Sequence, residues 1–208
     1  MLQISTVHPA TLELLINLQK VEILQSTRLV GGTALALQLG HRRSIDLDFF
    51  GQVEENVESI MMNLKSEGFD VKLESNSKNI HVFKINGVKT DIVNYTHYSW
   101  IDDIIEDGGI RLAGLKDIAA MKVAAIVNRG SKKDFIDVHF LLDHFSLREI
   151  MDLYIRKYPD GSEFIAYKSL SYFADAEKQI MPQMLIPTTW NDVKERIAAA
   201  VKATNDTN

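Results

Sequence analysis

The chain has 208 residues and no cysteine, with 46% apolar side chains, 25% charged side chains and a net charge of −5. These are the proportions of an ordinary globular protein. They exclude disulfides, thiol catalysis and cysteine-based zinc sites, and they argue against a protein that coats nucleic acid through general basicity. No run of about 18 apolar residues occurs, and the N-terminus lacks a basic region followed by an apolar stretch, so a cytoplasmic protein without a membrane partner is expected.

In chain order, His8 to Gln25 places Leu12, Leu15, Ile16, Leu18, Val21, Ile23 and Leu24 close to helical period and predicts one amphipathic helix. Ser26-Thr27 breaks it, and Arg28-Leu29-Val30 predicts a short buried strand ending at Gly31-Gly32. Thr33 to Leu39 is apolar at almost every position and predicts a helix buried on most sides, with Gly40 as its stop. Ser44 to Phe50 predicts a second strand, and Val53 to Glu67 a helix with Gly68 past its end. Three strands follow at Asp70 to Glu74, Ile80 to Ile85 and Val88 to Tyr95, the last two joined by the hairpin signal Asn86-Gly87.

Beyond residue 100, Gly108-Gly109 and Gly114 punctuate short apolar pieces before helical patterning takes over. Helices are predicted at Leu115 to Asn128, Lys132 to His144 and Leu147 to Lys157, at least once within Gly161 to Lys178, and at Thr189 to Thr204. The tail Asn205 to Asn208 is expected to be disordered. Strands and helices thus fill a first domain, residues 1–110, and helices alone a second, residues 111–208.

The chemistry concentrates in a few places. A glycine turn opening a helix, Gly31-Gly32-Thr33, offers unpaired backbone amides and the positive end of a helix dipole to an anion. On a strand, Asp46 and Asp48 would project from one face. Asp91 lies mid-strand, where a buried carboxylate must be exposed, paired or bound to a cation. Three carboxylates could hold one or two Mg²⁺ ions bridging a triphosphate, although a D-x-D alone is also a common strand end turning into solvent. The stretch 116–133 is locally basic, and Lys122 and Arg129 share one helix face suited to triphosphate or base contacts. An ordinary solvated face is the plain alternative. Asp134 and Asp137, in the first turns of the next helix, favour its dipole and could act as caps. His41, beside the D-x-D strand, reads as positional.

Gly31-Gly32-Thr33 followed by Asp46-Leu47-Asp48, with thirteen residues between Gly32 and Asp46, resembles the signature of the DNA polymerase β-like nucleotidyltransferases. The run from Gly31 to Phe49 resembles the AbiEii/AbiGii-type nucleotidyltransferase toxins in particular, and Leu115-Lys116-Asp117-Ile118, Lys122, Arg129 and Lys133-Asp134-Phe135-Ile136-Asp137 resemble that family's second block. The resemblance implies an α+β fold, a small mixed sheet flanked by helices, followed by an all-helical C-terminal region closing over a cleft. It also implies transfer of a nucleoside monophosphate from a nucleoside triphosphate to an acceptor, in some relatives a tRNA 3′ end, by a toxin with a cognate antitoxin. Residue by residue, Gly31, Gly32 and Thr33 would hold the triphosphate, and Asp46, Asp48 and Asp91 the Mg²⁺ or Mn²⁺ ions. Lys122 would contact nucleotide phosphates, Asp134 would be an acid needed for activity, and Arg129 and Asp137 would support nucleotide binding.

Two other readings stay open at this level: a catalytically idle nucleotide-binding module working through a partner, and a transferase that modifies a small molecule. Tracing a labelled nucleotide into RNA, protein or a metabolite separates them.

Overall fold

The first helix is shorter than its apolar periodicity suggests. In the computed structural model, which describes residues 1–205, α1 spans Pro9–Leu18 and a separate 3₁₀ turn covers Glu22–Leu24. Gln19 is the C-cap of this helix, and its side chain reaches across to a strand. It donates to the Arg111 carbonyl at 2.9 Å and accepts from the Arg111 amide at 2.6 Å. The Arg111 guanidinium donates in return to the carbonyls of Gln19 and Leu24, at 2.8 and 3.1 Å. Two long side chains thus bind this corner to a strand some ninety residues on.

β1 (Thr27–Leu29) leads into α2 (Gly31–Leu39), which already includes both glycines. β2 (Leu47–Gly51), α3 (Val57–Ser66), β3 (Val71–Asn76), β4 (Ile80–Ile85) and β5 (Val88–Asn94) follow. Asn86 and Gly87 both take positive φ, 47° and 83°, the geometry of the tight hairpin turn that their identities predict. β6 (Ile105–Asp107) and β7 (Ile110–Leu112) form a further hairpin across Gly108-Gly109, where the sequence shows only short apolar pieces.

The seven strands form one mixed sheet in the order β3-β4-β5-β2-β1-β7-β6. Two pairings are parallel, β2 with β5 and β1 with β7, and the others are antiparallel. β2 is therefore central, and Leu29, Leu47, Phe49, Phe83, Ile92 and Leu112 are fully buried around it. The expected strand from Ser44 begins only at Leu47, so Asp46 precedes the strand rather than lying on it. The reason is local. The Thr33 hydroxyl takes the Asp46 carbonyl as a hydrogen-bond partner, and Ser44 Oγ lies 2.8 Å from the same hydroxyl. The backbone of Asp46 is thereby held by a side chain before any strand ladder starts.

The helical part comprises α4 (Leu115–Asn128), α5 (Lys132–Leu141), α6 (Leu147–Lys157), α7 (Glu163–Leu170), α8 (Ala174–Glu177) and α9 (Trp190–Asn205). α6 starts with a complete capping box between Ser146 and Glu149. Asn205 closes α9, and the rest of the expected disordered tail lies outside the described residues. Chain contacts divide the described residues into two compact units. One holds the whole sheet with α1 and α3. The other holds the helices from Gly114 onward together with Leu39–Arg42 and Trp100–Asp103. Among the described residues no helix is long and apolar enough to cross a membrane.

Candidate active site

In the sheet unit, Gly31 begins α2 with φ +67°, a left-handed conformation that glycine adopts without strain. A Cβ at this position would sit 2.3 Å from Asp48 Oδ2, so the helix start is packed directly on the Asp48 carboxylate. Only a residue without a side chain permits that approach. The first amides of a helix, here those of Gly31, Gly32 and Thr33, have no acceptor within the helix itself. Thr33 is 1% exposed, and its hydroxyl is engaged with Asp46 and Ser44. What this stretch can offer an anion is backbone, not the threonine side chain.

Asp48 and Asp91 are partners across the parallel β2–β5 pairing, so the two carboxylates leave the same face of the sheet side by side. Lys89 lies two residues before Asp91, and its ammonium stands 3.2 Å from Asp91 Oδ1 and 3.3 Å from Oδ2. The Oδ1 atom is buried and has no hydrogen-bond partner of acceptable geometry. Partial burial pulls the Lys89 pKa down, but the charges of Asp91, Asp48 and Asp46 outweigh it and hold the pKa above the usual lysine value.

Hard oxygen donors in register, one of them buried and unsatisfied, fit a divalent cation chemically. Among the described residues, however, no three His, Cys, Asp or Glu side chains gather closely enough to hold a metal ion. The structure brings Asp48 and Asp91 together as a pair. Asp46 stands outside it, one residue before the strand.

The second-block residues assemble in the helical unit, in a way their spacing did not reveal. Asp134 and Asp137, which their positions in the first turns of α5 mark as acids favouring its dipole, are both fully buried. Asp137 accepts from Arg42 Nε at 2.7 Å and Nη2 at 2.9 Å, lies 2.8 Å from His41 Nε2, and pairs with Lys122 at 2.5 Å. Asp134 accepts from Lys122 at 3.0 Å, from Arg129 Nε and Nη2 at 2.9 and 3.1 Å, and from Ser131 Oγ. Burial alone would raise both carboxyl pKa values. The cations around them win, bringing Asp134 down to about 2 and holding Asp137 well below the usual carboxylate range.

Lys122 therefore does not stand on a solvated face. It is 4% exposed, with its ammonium between the two carboxylates. Burial pulls its pKa down, but Asp137 and Asp134 outweigh that and keep it raised and charged. Arg129 carries this group to the surface, with 59% of its side chain exposed against 0% for Asp134. It lines a cavity of about 560 Å³ shared with Gly130, Lys168, Tyr172 and Asp175. Arg42 and His41 belong to this cluster although they precede the D-x-D in sequence. His41 is held as a positioning partner of Asp137, while nothing in the spacing of the Arg42-Arg43 pair marked Arg42 as a partner of a helix some ninety residues away.

With this geometry in hand, similarity to known proteins is informative. Residues 13–204 match the family described as "Nucleotidyl transferase AbiEii toxin, Type IV TA system". An uncharacterised protein of Aquifex aeolicus (strain VF5), aq_aa25, is 37% identical over 179 residues, covering 84% of this chain and 85% of that protein. Among solved structures, JHP933 from Helicobacter pylori shares the fold with a TM-score of 0.60 at 17% identity, over 97% of this chain and 94% of that one. MenT4, a nucleotidyltransferase toxin from Mycobacterium tuberculosis, does so with a TM-score of 0.55 at 14% identity, over 92% of this chain and 83% of that one.

Proposed function

This chain belongs to the AbiEii nucleotidyltransferase toxin family, and from that premise we propose that it moves a nucleoside monophosphate from a nucleoside triphosphate to an acceptor hydroxyl with Mg²⁺ or Mn²⁺ as cofactor. The observation that carries this reading is the in-register pair Asp48 and Asp91, with Gly31 packed against the Asp48 carboxylate. Asp48 and Asp91 would hold the cation, with Asp46 adding charge from the adjoining loop. When bound, such a cation neutralises triphosphate charge and favours ionisation of an attacking hydroxyl.

The protein's own part is positioning. The amides that open α2 receive phosphate oxygens, and the Thr33 hydroxyl keeps the Asp46 backbone in place beneath them. Bond formation runs from the acceptor oxygen to the α-phosphorus, the bond from that phosphorus to pyrophosphate breaks, and the hydroxyl proton passes to the Asp91 carboxylate. Within the helical unit, the exposed Arg129 guanidinium would offer itself to an anionic group. Asp134, Lys122 and Asp137 act behind it by fixing its guanidinium, so their contribution is through Arg129 rather than by direct phosphate contact.

The acceptor is read as a macromolecule, an RNA end or a protein hydroxyl, and the partner as the antitoxin that accompanies this family. Incubation of the protein with each α-labelled nucleoside triphosphate and total RNA or lysate tests both the activity and the acceptor class. Asp48→Asn should abolish label transfer while leaving circular dichroism and melting temperature unchanged. Full activity in that variant refutes the assignment.

A further inference from the structure

Lys89 belongs to none of the motifs that mark this site, yet its ammonium stands beside the Asp91 carboxylate. Three observations converge on it. Its ammonium is 3.2 and 3.3 Å from the two oxygens of Asp91, and Asp48 is aligned with Asp91 on the adjacent parallel strand, so all three side chains occupy one sheet face. On the opposite side, its partner across the antiparallel β4–β5 ladder is Lys84. Like charges directly opposite repel, which drives the Lys89 head away from β4 and toward the carboxylates. Finally, Asp91 Oδ1 is buried and has no other partner to satisfy it.

We propose that the Lys89 ammonium is a resident counter-cation of the Asp48–Asp91 pair and competes with a divalent cation for Asp91, so that it sets the affinity with which the metal is taken up. The inference rests on the metal reading of this site and adds a positioning residue to it. With no metal bound, Lys89 neutralises part of the carboxylate repulsion that would otherwise strain two neighbouring central strands. As a divalent cation enters, its higher charge density takes over the Asp91 oxygens and the ammonium must withdraw. Nearly half of the lysine side chain is exposed, 48% against 21% for Asp91, so withdrawal into solvent requires no backbone movement.

The competition is measurable without any turnover. Mn²⁺ is titrated into the full-length protein and the free ion followed by electron paramagnetic resonance, with wild type, Lys89→Met, Lys89→Arg and Asp48→Asn compared. Removing the ammonium should tighten Mn²⁺ binding by about three- to ten-fold, the scale of a partly exposed ion pair acting as a coupling between two ligands of one site. Lys89→Arg, which keeps the charge, should restore affinity to near the wild-type value, an outcome that a merely structural lysine would not give. Asp48→Asn should lose the binding.

Equal Mn²⁺ affinity in wild type and Lys89→Met, with binding still lost in Asp48→Asn, overturns the role of Lys89 and leaves the metal reading standing. Absence of Mn²⁺ binding in wild type and Lys89→Met alike, or binding that survives Asp48→Asn, overturns the metal reading and this proposal with it.

Discussion

Gly31 and Asp48 are in such close contact that a single added methyl group at Gly31 would overlap the Asp48 carboxylate, with the Cβ position 2.3 Å from Oδ2. Gly31→Ala therefore meets two obstacles at once, the carboxylate and the positive φ of 67°. We expect a loss of about 1–2 kcal/mol for forcing alanine into the left-handed region, read from urea unfolding. Because the displaced atom is the carboxylate itself, label transfer should fall at least about ten-fold, beyond what the stability loss explains. Gly31→Ala with wild-type transfer would mean that the position of Asp48 is immaterial to the reaction.

Asp137→Asn strips the buried cluster of the charge that Arg42 and Lys122 share. Leaving buried cations without their counter-ion costs about 3–5 kcal/mol. For a chain of this size that corresponds to a fall in melting temperature of roughly 10 °C, which differential scanning calorimetry would register.

The same cluster predicts how stability responds to acid. The Asp134 carboxyl is lowered to about 2 in the folded chain, so the folded state resists a proton that the unfolded state accepts near the ordinary value of 3.8. Its contribution is complete above that ordinary value and drains away as pH falls toward 2, by about 2 kcal/mol in all. Asp137 adds to the effect in the same direction. Melting temperatures recorded from pH 5 down to pH 2 should fall steeply, and Asp134→Asn, less stable at pH 5, should show a shallower slope.

Gln19→Ala tests the corner that ends the first helix. It removes both side-chain bonds to the Arg111 backbone and leaves that amide and carbonyl without their partner. A loss of about 1–3 kcal/mol is expected. Hydrogen exchange at the Arg111 amide should accelerate well beyond the change seen in the rest of the sheet.

Much of the architecture was legible in the sequence because local signals and tertiary structure agree. Asn86-Gly87 places a hairpin where both residues take positive φ, and the apolar spacing of Leu115 to Asn128 and Leu147 to Lys157 gives helices with those bounds. The family was legible for the same reason, since Gly31-Gly32-Thr33 and the D-x-D lie within one short stretch of chain. What escaped was decided by distant partners. The helix expected to reach Gln25 ends at Leu18, and Arg111 binds its end. β6 and β7 are only three residues each, too short for any alternation to register, although Gly108-Gly109 is a turn signal of the same kind as Asn86-Gly87. Asp134 and Asp137 at the start of a helix look like dipole-compensating acids; nothing in their spacing shows that Arg42 and Lys122 enclose them. Lys89 belongs to no motif in the sequence, and its significance needs the β2–β5 register.

That register also bears on when the carboxylate pair comes into being during synthesis of the chain. Asp48 and Asp91 align only through a parallel pairing between strands more than forty residues apart, and β5 reaches its place with β4 as a hairpin. Non-local pairings of this kind are closed late, after the local turns have formed. A chain whose synthesis stops before Val88 carries the D-x-D and the glycine turn but has no β5 to dock beside them. A truncated or half-made copy thus lacks the Asp48–Asp91 pair, which exists only once β5 has joined the sheet.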